Sequence, residues 1–178
     1  SIVASHDAFA AIKNDGTVVT WGDSSKGGNS SSVADQLIGV QSIVAARQAF
    51  AAIKDDGTVI TWGYNYGGGD SRTVADKLTS VQSIAATDYS FAAIKHDGSV
   101  VTWGSNSYGG NSSSVADQLA DVQSITGSSK AFAAVKIDGS VVTWGDSSYG
   151  GDSSSVVEEL VDIRSIAAAD FAFAAIRA

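Results

Sequence analysis

Short apolar runs separated by polar residues or glycine recur along the whole chain. Within residues 41–63 they are QSIVAA, AFAAIK and TVITWG, each of strand length. In the related run TVVTWG, Val18 and Thr20 face one way while Val19 and Trp21 face the other, so both faces carry apolar bulk. A strand packed between two neighbouring sheets needs this pattern. The pattern predicts three β-strands in each such stretch.

The same stretch is written several times at a fixed spacing. Copies begin at Ser1, Ser42, Ser83, Ser124 and Ser165, 41 residues apart, with no insertion or deletion. A period of this size indicates stacked units, because each unit needs its neighbours to bury its apolar face. We therefore expect one repeat domain over residues 1–178, with units 1–41, 42–82, 83–123 and 124–164 and a partial unit 165–178.

Two local signals complete the unit. An Asp-Gly pair follows the second run and predicts a tight hairpin turn; it stands at Asp15-Gly16, Asp56-Gly57, Asp97-Gly98 and Asp138-Gly139. Ser32 and Asp35 have the spacing of a helix capping box, and Val33, Leu37 and Val40 would form one apolar stripe. The sequence predicts one short helix in each unit, after the third strand.

A tryptophan ends the third run of each complete unit. Trp21, Trp62, Trp103 and Trp144 recur at the repeat period. Burial of one indole removes roughly 150–250 Å² from water, so we interpret the four as structural core between units. The alternative is an exposed tryptophan ladder that stacks sugars or bases.

The motifs also carry a family resemblance. SIAATDYSFAAIKHDGSVVTWGSNSYGG, residues 83–110, resembles the repeat of the regulator of chromosome condensation family, through FAAIK, DGSV, TWG and the trailing YGG. The resemblance implies a β-propeller in which each repeat supplies one blade or bridges two. The short 41-residue form is similar to repeats of algal and protist proteins, which implies an organellar or photosynthetic setting.

The first two strand runs occur once more along the chain than the third run does. The chain holds five copies of the first two strand runs but four of the third run, which reads TVxTWG or SVxTWG. We therefore predict a mainly β, propeller-like array of four full units and a partial fifth, open or imperfectly closed. A closed four-bladed propeller is the alternative.

Composition excludes several classes of protein. Nineteen acidic and eleven basic side chains give a formal charge of −8 without a basic cluster, which disfavours nucleic acid. No apolar run reaches the roughly 20 residues of a membrane span, so we expect no insertion, while peripheral association stays open. There is no cysteine, and no leader pattern is visible; we expect any targeting signal to be absent from this chain, and the compartment is unknown.

Catalytic groups do not recur with the repeat. The two histidines, His6 and His96, occupy different positions of the unit, and no nucleophile elbow or phosphate-binding loop is present. We expect no enzyme activity, no cofactor and no metal site.

Positions that vary between copies are the candidates for recognition, because the stacking positions must stay alike. Aromatic side chains are enriched in protein interfaces. Our candidate partner-contact residues are Tyr64, Tyr66, Tyr89, Tyr108, Tyr149 and Ile137.

Three functions fit these observations. The first is a non-catalytic interaction module, an accessory or scaffold subunit that binds a protein partner within a larger assembly. The second is a lectin-like propeller with equivalent carbohydrate sites. The third, which rests on the family resemblance, is a guanine-nucleotide exchange factor.

Overall fold

Each complete unit folds into a three-stranded antiparallel sheet in the computed structural model, which describes all 178 residues. The partial fifth unit forms a two-stranded sheet, as the sequence predicted. The strands are β1 (Ile2–Ala4), β2 (Ala8–Ile12), β3 (Val18–Gly22), β4 (Val40–Ala45), β5 (Ala49–Lys54), β6 (Val59–Gly63), β7 (Val81–Ala86), β8 (Ser90–Lys95), β9 (Val100–Gly104), β10 (Val122–Gly127), β11 (Ala131–Lys136), β12 (Val141–Gly145), β13 (Ile163–Ala168) and β14 (Phe173–Arg177).

The Asp-Gly turns join the second and third strands, as predicted. Asp15 Oδ1 accepts hydrogen bonds from the backbone N–H and the hydroxyl of Thr17, and Gly16 has a φ of +77°. The same bonds recur at Asp56, Asp97 and Asp138. These bonds to the charged form hold the pKa of each aspartate below its ordinary value.

The predicted capped helix is wrong in type and in extent. The segment is a six-residue 3-10 helix that ends at Gln36, so Leu37 only caps it and Val40 belongs to β4. Ser30 makes no side-chain cap; Asn29 Oδ1 instead accepts the backbone N–H of Ser31. The four such helices are Ser31–Gln36, Arg72–Lys77, Ser113–Gln118 and Ser154–Glu159, and a three-residue 3-10 helix precedes each at Ser24–Lys26, Asn65–Gly67, Asn106–Tyr108 and Ser147–Tyr149.

The hydrophobic core lies between units, not within them. Three clusters of buried side chains join unit one to two, two to three, and three to four. Successive alanines of β5 pack against opposite neighbours. Ala52 belongs to the cluster between units one and two, and Ala51 belongs to the cluster between units two and three. Small side chains on the middle strand thus let neighbouring sheets pack closely on both of its faces.

The units form an open arc. Their first strands lie side by side, and two backbone hydrogen bonds link each unit to the next. The first runs from the N–H of residues 6, 47, 88 and 129 to the C=O of residues 47, 88, 129 and 170, and the second from the N–H of residues 55, 96, 137 and 178 to the C=O of residues 39, 80, 121 and 162. The first unit keeps Phe9 and Trp21 43% and 44% exposed, and the fifth has two strands. The open propeller-like arrangement is confirmed; the closed four-bladed alternative is not observed.

No helix of the chain has the length and apolar character that a bilayer crossing requires.

Candidate functional site

The predicted tyrosines come together along one edge of the arc. This edge holds the turns between first and second strands and the short helices that follow third strands. Ser105 donates its backbone N–H to the carbonyl of Tyr89 at 2.9 Å, and the hydroxyl of Thr87 donates to the carbonyl of Tyr108 at 2.9 Å. These bonds hold the two turns of unit three side by side. The equivalent bonds from Asp146 to Lys130 and from Ser128 to Tyr149 do the same in unit four.

Side chains on this edge touch both within units and across the unit boundaries. Tyr89 and Tyr108 meet edge to face with ring centroids 4.8 Å apart, and Tyr149 and Phe171 lie 4.9 Å apart. Lys130 places its Nζ 5.1 Å from the Tyr108 ring centre and 4.5 Å from that of Tyr149. We call this set, together with Tyr64 and Tyr66, the tyrosine row.

Unit two extends the row. Tyr64 and Tyr66 have ring centroids 6.3 Å apart and are 44% and 59% exposed. Gly67 connects them to the rest, because a Cβ placed on it would lie 3.1 Å from the Tyr89 ring and 3.6 Å from the Tyr64 ring. All five predicted tyrosines therefore lie in one continuous surface. Unit one continues it with polar groups, where Asp7 contacts Lys26 and Gln48.

Ile137 does not belong to the row. It is 74% exposed at the hairpin tip between β11 and β12. The Ala131–Gly145 end of that hairpin adjoins the row, whereas Ile137 follows the Val135–Val141 end. With a rise of about 3.3 Å per residue, the two ends are roughly 15 Å apart. Ile137 therefore lies outside the patch formed by the tyrosines, and its role as a separate contact residue stays a prediction.

Lys130 and Phe171 belong to the row and were not among the predicted residues. Both occupy the same position of the unit as Tyr89. The residue at this position differs from copy to copy, and this variation could have identified Lys130 and Phe171 as candidates. Contact with the Tyr149 side chain is the largest cause that holds the pKa of Lys130 above its ordinary value. The ammonium group is therefore charged between the two rings at neutral pH.

A small cavity of about 330 Å³ opens on the inner side of the row. Arg47, Asp88 and Asp170 line it, and Arg47 Nη1 lies 3.9 Å from Asp88 Oδ2. Burial raises the pKa of Asp88, and the nearby charge of Asp170 adds to the rise while Arg47 opposes it. The inner side of the tyrosine row therefore carries both positively and negatively charged side chains. No group of three or more His, Cys, Asp or Glu side chains that could hold a metal ion is present.

Three of the four tryptophans lie inside the unit junctions. Trp62, Trp103 and Trp144 are 2–3% exposed, and each ring stacks on a phenylalanine. Their indole N–H groups donate to the carbonyls of Gly27, Gly68 and Gly109 at 3.0–3.1 Å. Trp21 differs from the expected core role, because no preceding unit packs on it here. A ladder of exposed tryptophans for sugar stacking is therefore absent.

The third unit matches a known repeat. Residues 81–109 match the family model described as the regulator of chromosome condensation (RCC1) repeat. The segment 81–109 is therefore similar to the repeat of the regulator of chromosome condensation family. No curated protein is significantly similar to the chain in sequence.

Several solved structures are similar to this chain in fold. Prp20p from Saccharomyces cerevisiae, described with its binding to Gsp1p and histones, is 17% identical with a TM-score of 0.60, over 82% of this chain and 44% of Prp20p. Yeast RCC1 (Prp20) bound to Kap60 is 18% identical with a TM-score of 0.63, over 95% of this chain and 51% of that one. The CRINKLY WD40 ectodomain of the Arabidopsis thaliana receptor kinase ACR4 is 17% identical with a TM-score of 0.59, over 99% and 60%. The chain thus spans about half the length of these proteins.

Proposed function

We propose that this chain is a non-catalytic protein–protein interaction module, an accessory or scaffold subunit whose partner contacts the tyrosine row. The observation that carries the proposal is the gathering of five tyrosines, Lys130 and Phe171 on one edge from four units. Tyrosine combines apolar area with a polar hydroxyl at low entropic cost, and such residues dominate binding energy in interfaces.

The exposure of the row supports contact with a protein surface. Phe171 is 62% exposed, and Tyr64 and Tyr66 are close to half exposed or more, so burial by a partner would remove substantial apolar area from water. The row extends over four neighbouring units and has no deep pocket, which suits a broad protein surface better than a small ligand. The negative overall charge disfavours a nucleic-acid partner.

The proteins that share the fold are described by what they bind. Prp20p is described with Gsp1p and histones, and yeast RCC1 with Kap60. Their shared fold supports a binding role for this chain, while the choice of partner depends on side chains. A nucleotide exchange activity would rest on the fold likeness alone, and nothing in the row favours it.

The test compares how tightly the wild-type chain and two surface variants bind the partner protein. The chain is purified from its source under mild conditions, the co-purifying protein is identified, and its affinity is measured by calorimetry. We expect Tyr66→Ala to weaken binding by about 1–2 kcal/mol, as truncation of an interface aromatic does. Ile137→Ser is the matched control, since it alters an exposed apolar residue at the opposite end of the strands. Loss of binding in Ile137→Ser with full binding in Tyr66→Ala would contradict the proposal.

A further inference from the structure

A groove of about 1070 Å³ lies between units one and two and borders the tyrosine row at Asn65, which stands between Tyr64 and Tyr66 in the sequence. One wall is formed by Ser24, Ser25 and the helix Ser31–Gln36, and the other by residues 58–63 and 69–72. Six consecutive residues, 58–63, line it. Side chains of a strand alternate between its two faces, so an unbroken run of lining residues means that the strand presents its edge to the groove.

The backbone of β6 has unused hydrogen-bonding groups on this edge. Lys54 N–H donates to the Thr58 carbonyl, and Tyr64 N–H donates to the Gln48 carbonyl, which sets the alternation of the β5–β6 ladder. Thr58, Ile60 and Trp62 therefore direct their backbone groups to β5. Val59, Thr61 and Gly63 direct theirs away from β5, and no group in the chain bonds to them.

The groove walls are polar but carry no unpaired charge. Ser24, Ser25, Asn29 and Gln36 contribute hydroxyl and carboxamide groups. The Arg72 guanidinium bonds to both oxygens of Asp70, at 2.6–3.1 Å, and holds the pKa of that carboxyl at about 2. Leu78 and Ala75 supply an apolar floor. This lining suits an uncharged polypeptide better than an ionic ligand.

We propose that an extended, uncharged segment of a partner polypeptide binds in this groove as a fourth strand on β6. A row of unpaired donors and acceptors with strand spacing is matched by another extended backbone. The five residues of β6 offer an edge of about 17 Å.

The equivalent positions at the junction between units two and three carry larger side chains. At the positions of Ser25, Ser31 and Gln36 in unit one, unit two has Tyr66, Arg72 and Lys77. Larger side chains therefore stand beside β9, the strand equivalent to β6. This difference makes unit three an internal comparison for the groove.

The first experiment reads out strand pairing directly. A displayed library of peptides of about 12 residues is selected against the chain, and one selected peptide is synthesised. Amide hydrogen exchange is then followed by NMR with and without this peptide. We expect slower exchange at Val59, Thr61 and Gly63 and no change at Ile60 and Trp62, whose N–H groups already face β5. Failure to select a peptide that binds below about 1 mM, or binding without this alternation, overturns the proposal.

The second experiment removes one donor from the edge. Thr61→Pro deletes an outward N–H and leaves the β5–β6 ladder intact, and proline is tolerated at such edge positions. It also removes the Thr61 hydroxyl, which bonds to the Gly69 carbonyl and the Ser71 hydroxyl. Thr102→Pro makes the same change on β9 and is the matched control. We expect the peptide affinity to fall about tenfold or more in Thr61→Pro and to stay within about twofold in Thr102→Pro. Equal losses in the two variants contradict the proposal.

A third measurement does not depend on the variants folding. Selected peptides are N-methylated at one residue at a time and bound to the wild-type chain. Strand pairing predicts that alternate methyl groups abolish binding, while the others leave it unchanged. A uniform response overturns strand addition.

Discussion

Single residues hold each junction through a contact that couples two units. The indole N–H of Trp103 reaches the Gly68 carbonyl of the preceding unit, and its ring stacks on Phe91 at 5.3 Å. Gly68 must lack a side chain, since a Cβ there would lie 2.6 Å from the Phe91 ring. Trp103 and Gly68 are thus two halves of one contact. The sequence could predict burial of the tryptophan, but the identity of its acceptor depends on how the units stack.

We expect this contact to make Trp103 far more important for stability than Trp21. Trp103→Ala should lower the free energy of unfolding by about 3–5 kcal/mol, because it leaves a cavity between units. Trp21→Ala should lower it by only about 1–2 kcal/mol, since that indole is already half exposed and its loss opens no enclosed cavity. Urea unfolding followed by circular dichroism measures both values. Equal losses would mean that the junction contact contributes little.

At the scale of the element, the hairpins and the presence of a short helix after each third strand could be predicted, whereas the type and the cap of that helix could not. The Asp-Gly turn is a local structure, because the aspartate bonds to a residue two positions later. The Ser-x-x-Asp pattern looked like a cap, but the segment has six residues, and Leu37 N–H bonds to the Ala34 carbonyl three positions earlier. Hydrogen bonds of that spacing define a 3-10 helix. The short connection back to β4 leaves no room for a longer α-helix.

The turn after each of these helices carries backbone strain in three units. Ser80, Asp121 and Asp162 have φ values of 55–56°, where glycine is favoured, and the equivalent Gly39 has a φ of 69°. We expect Asp121→Gly to raise the free energy of unfolding by about 0.5–1 kcal/mol, since it relieves a left-handed non-glycine residue. Thermal unfolding measures the change.

Gly39→Ala provides the opposite control for that turn. It places a side chain at positive φ, and its Cβ would lie 2.8 Å from Asp55 Oδ1, so stability should fall. A lower stability of Asp121→Gly would show that the left-handed turn is not strained.

For the whole molecule, counting strand runs in the sequence predicted the open arc, whereas the tyrosine row needed the structure. Tyr108 of unit three meets Lys130 of unit four because each turn packs against the following unit. Comparison of the copies in the sequence identified the variable positions. It did not show that a variable side chain of one unit contacts a different variable position of the next unit. Lys130 and Phe171 were therefore missed although Tyr89, at the same repeat position, was found.

The distribution of burial along the arc predicts a gradient of local stability. Phe50, Phe91 and Phe132 are fully buried because a unit packs on each side of their sheets, whereas Phe9 is 43% exposed. In a linear array each unit is stabilised by its own strands and by its nearest neighbours. In the 178-residue chain, amides of β5, β8 and β11 should therefore exchange with solvent at least about tenfold more slowly than those of β2 and β14, a difference of about 1.4 kcal/mol in local opening. Native-state hydrogen exchange with mass spectrometry measures these rates. Uniform rates over all five sheets would show instead that the units open together as one cooperative body.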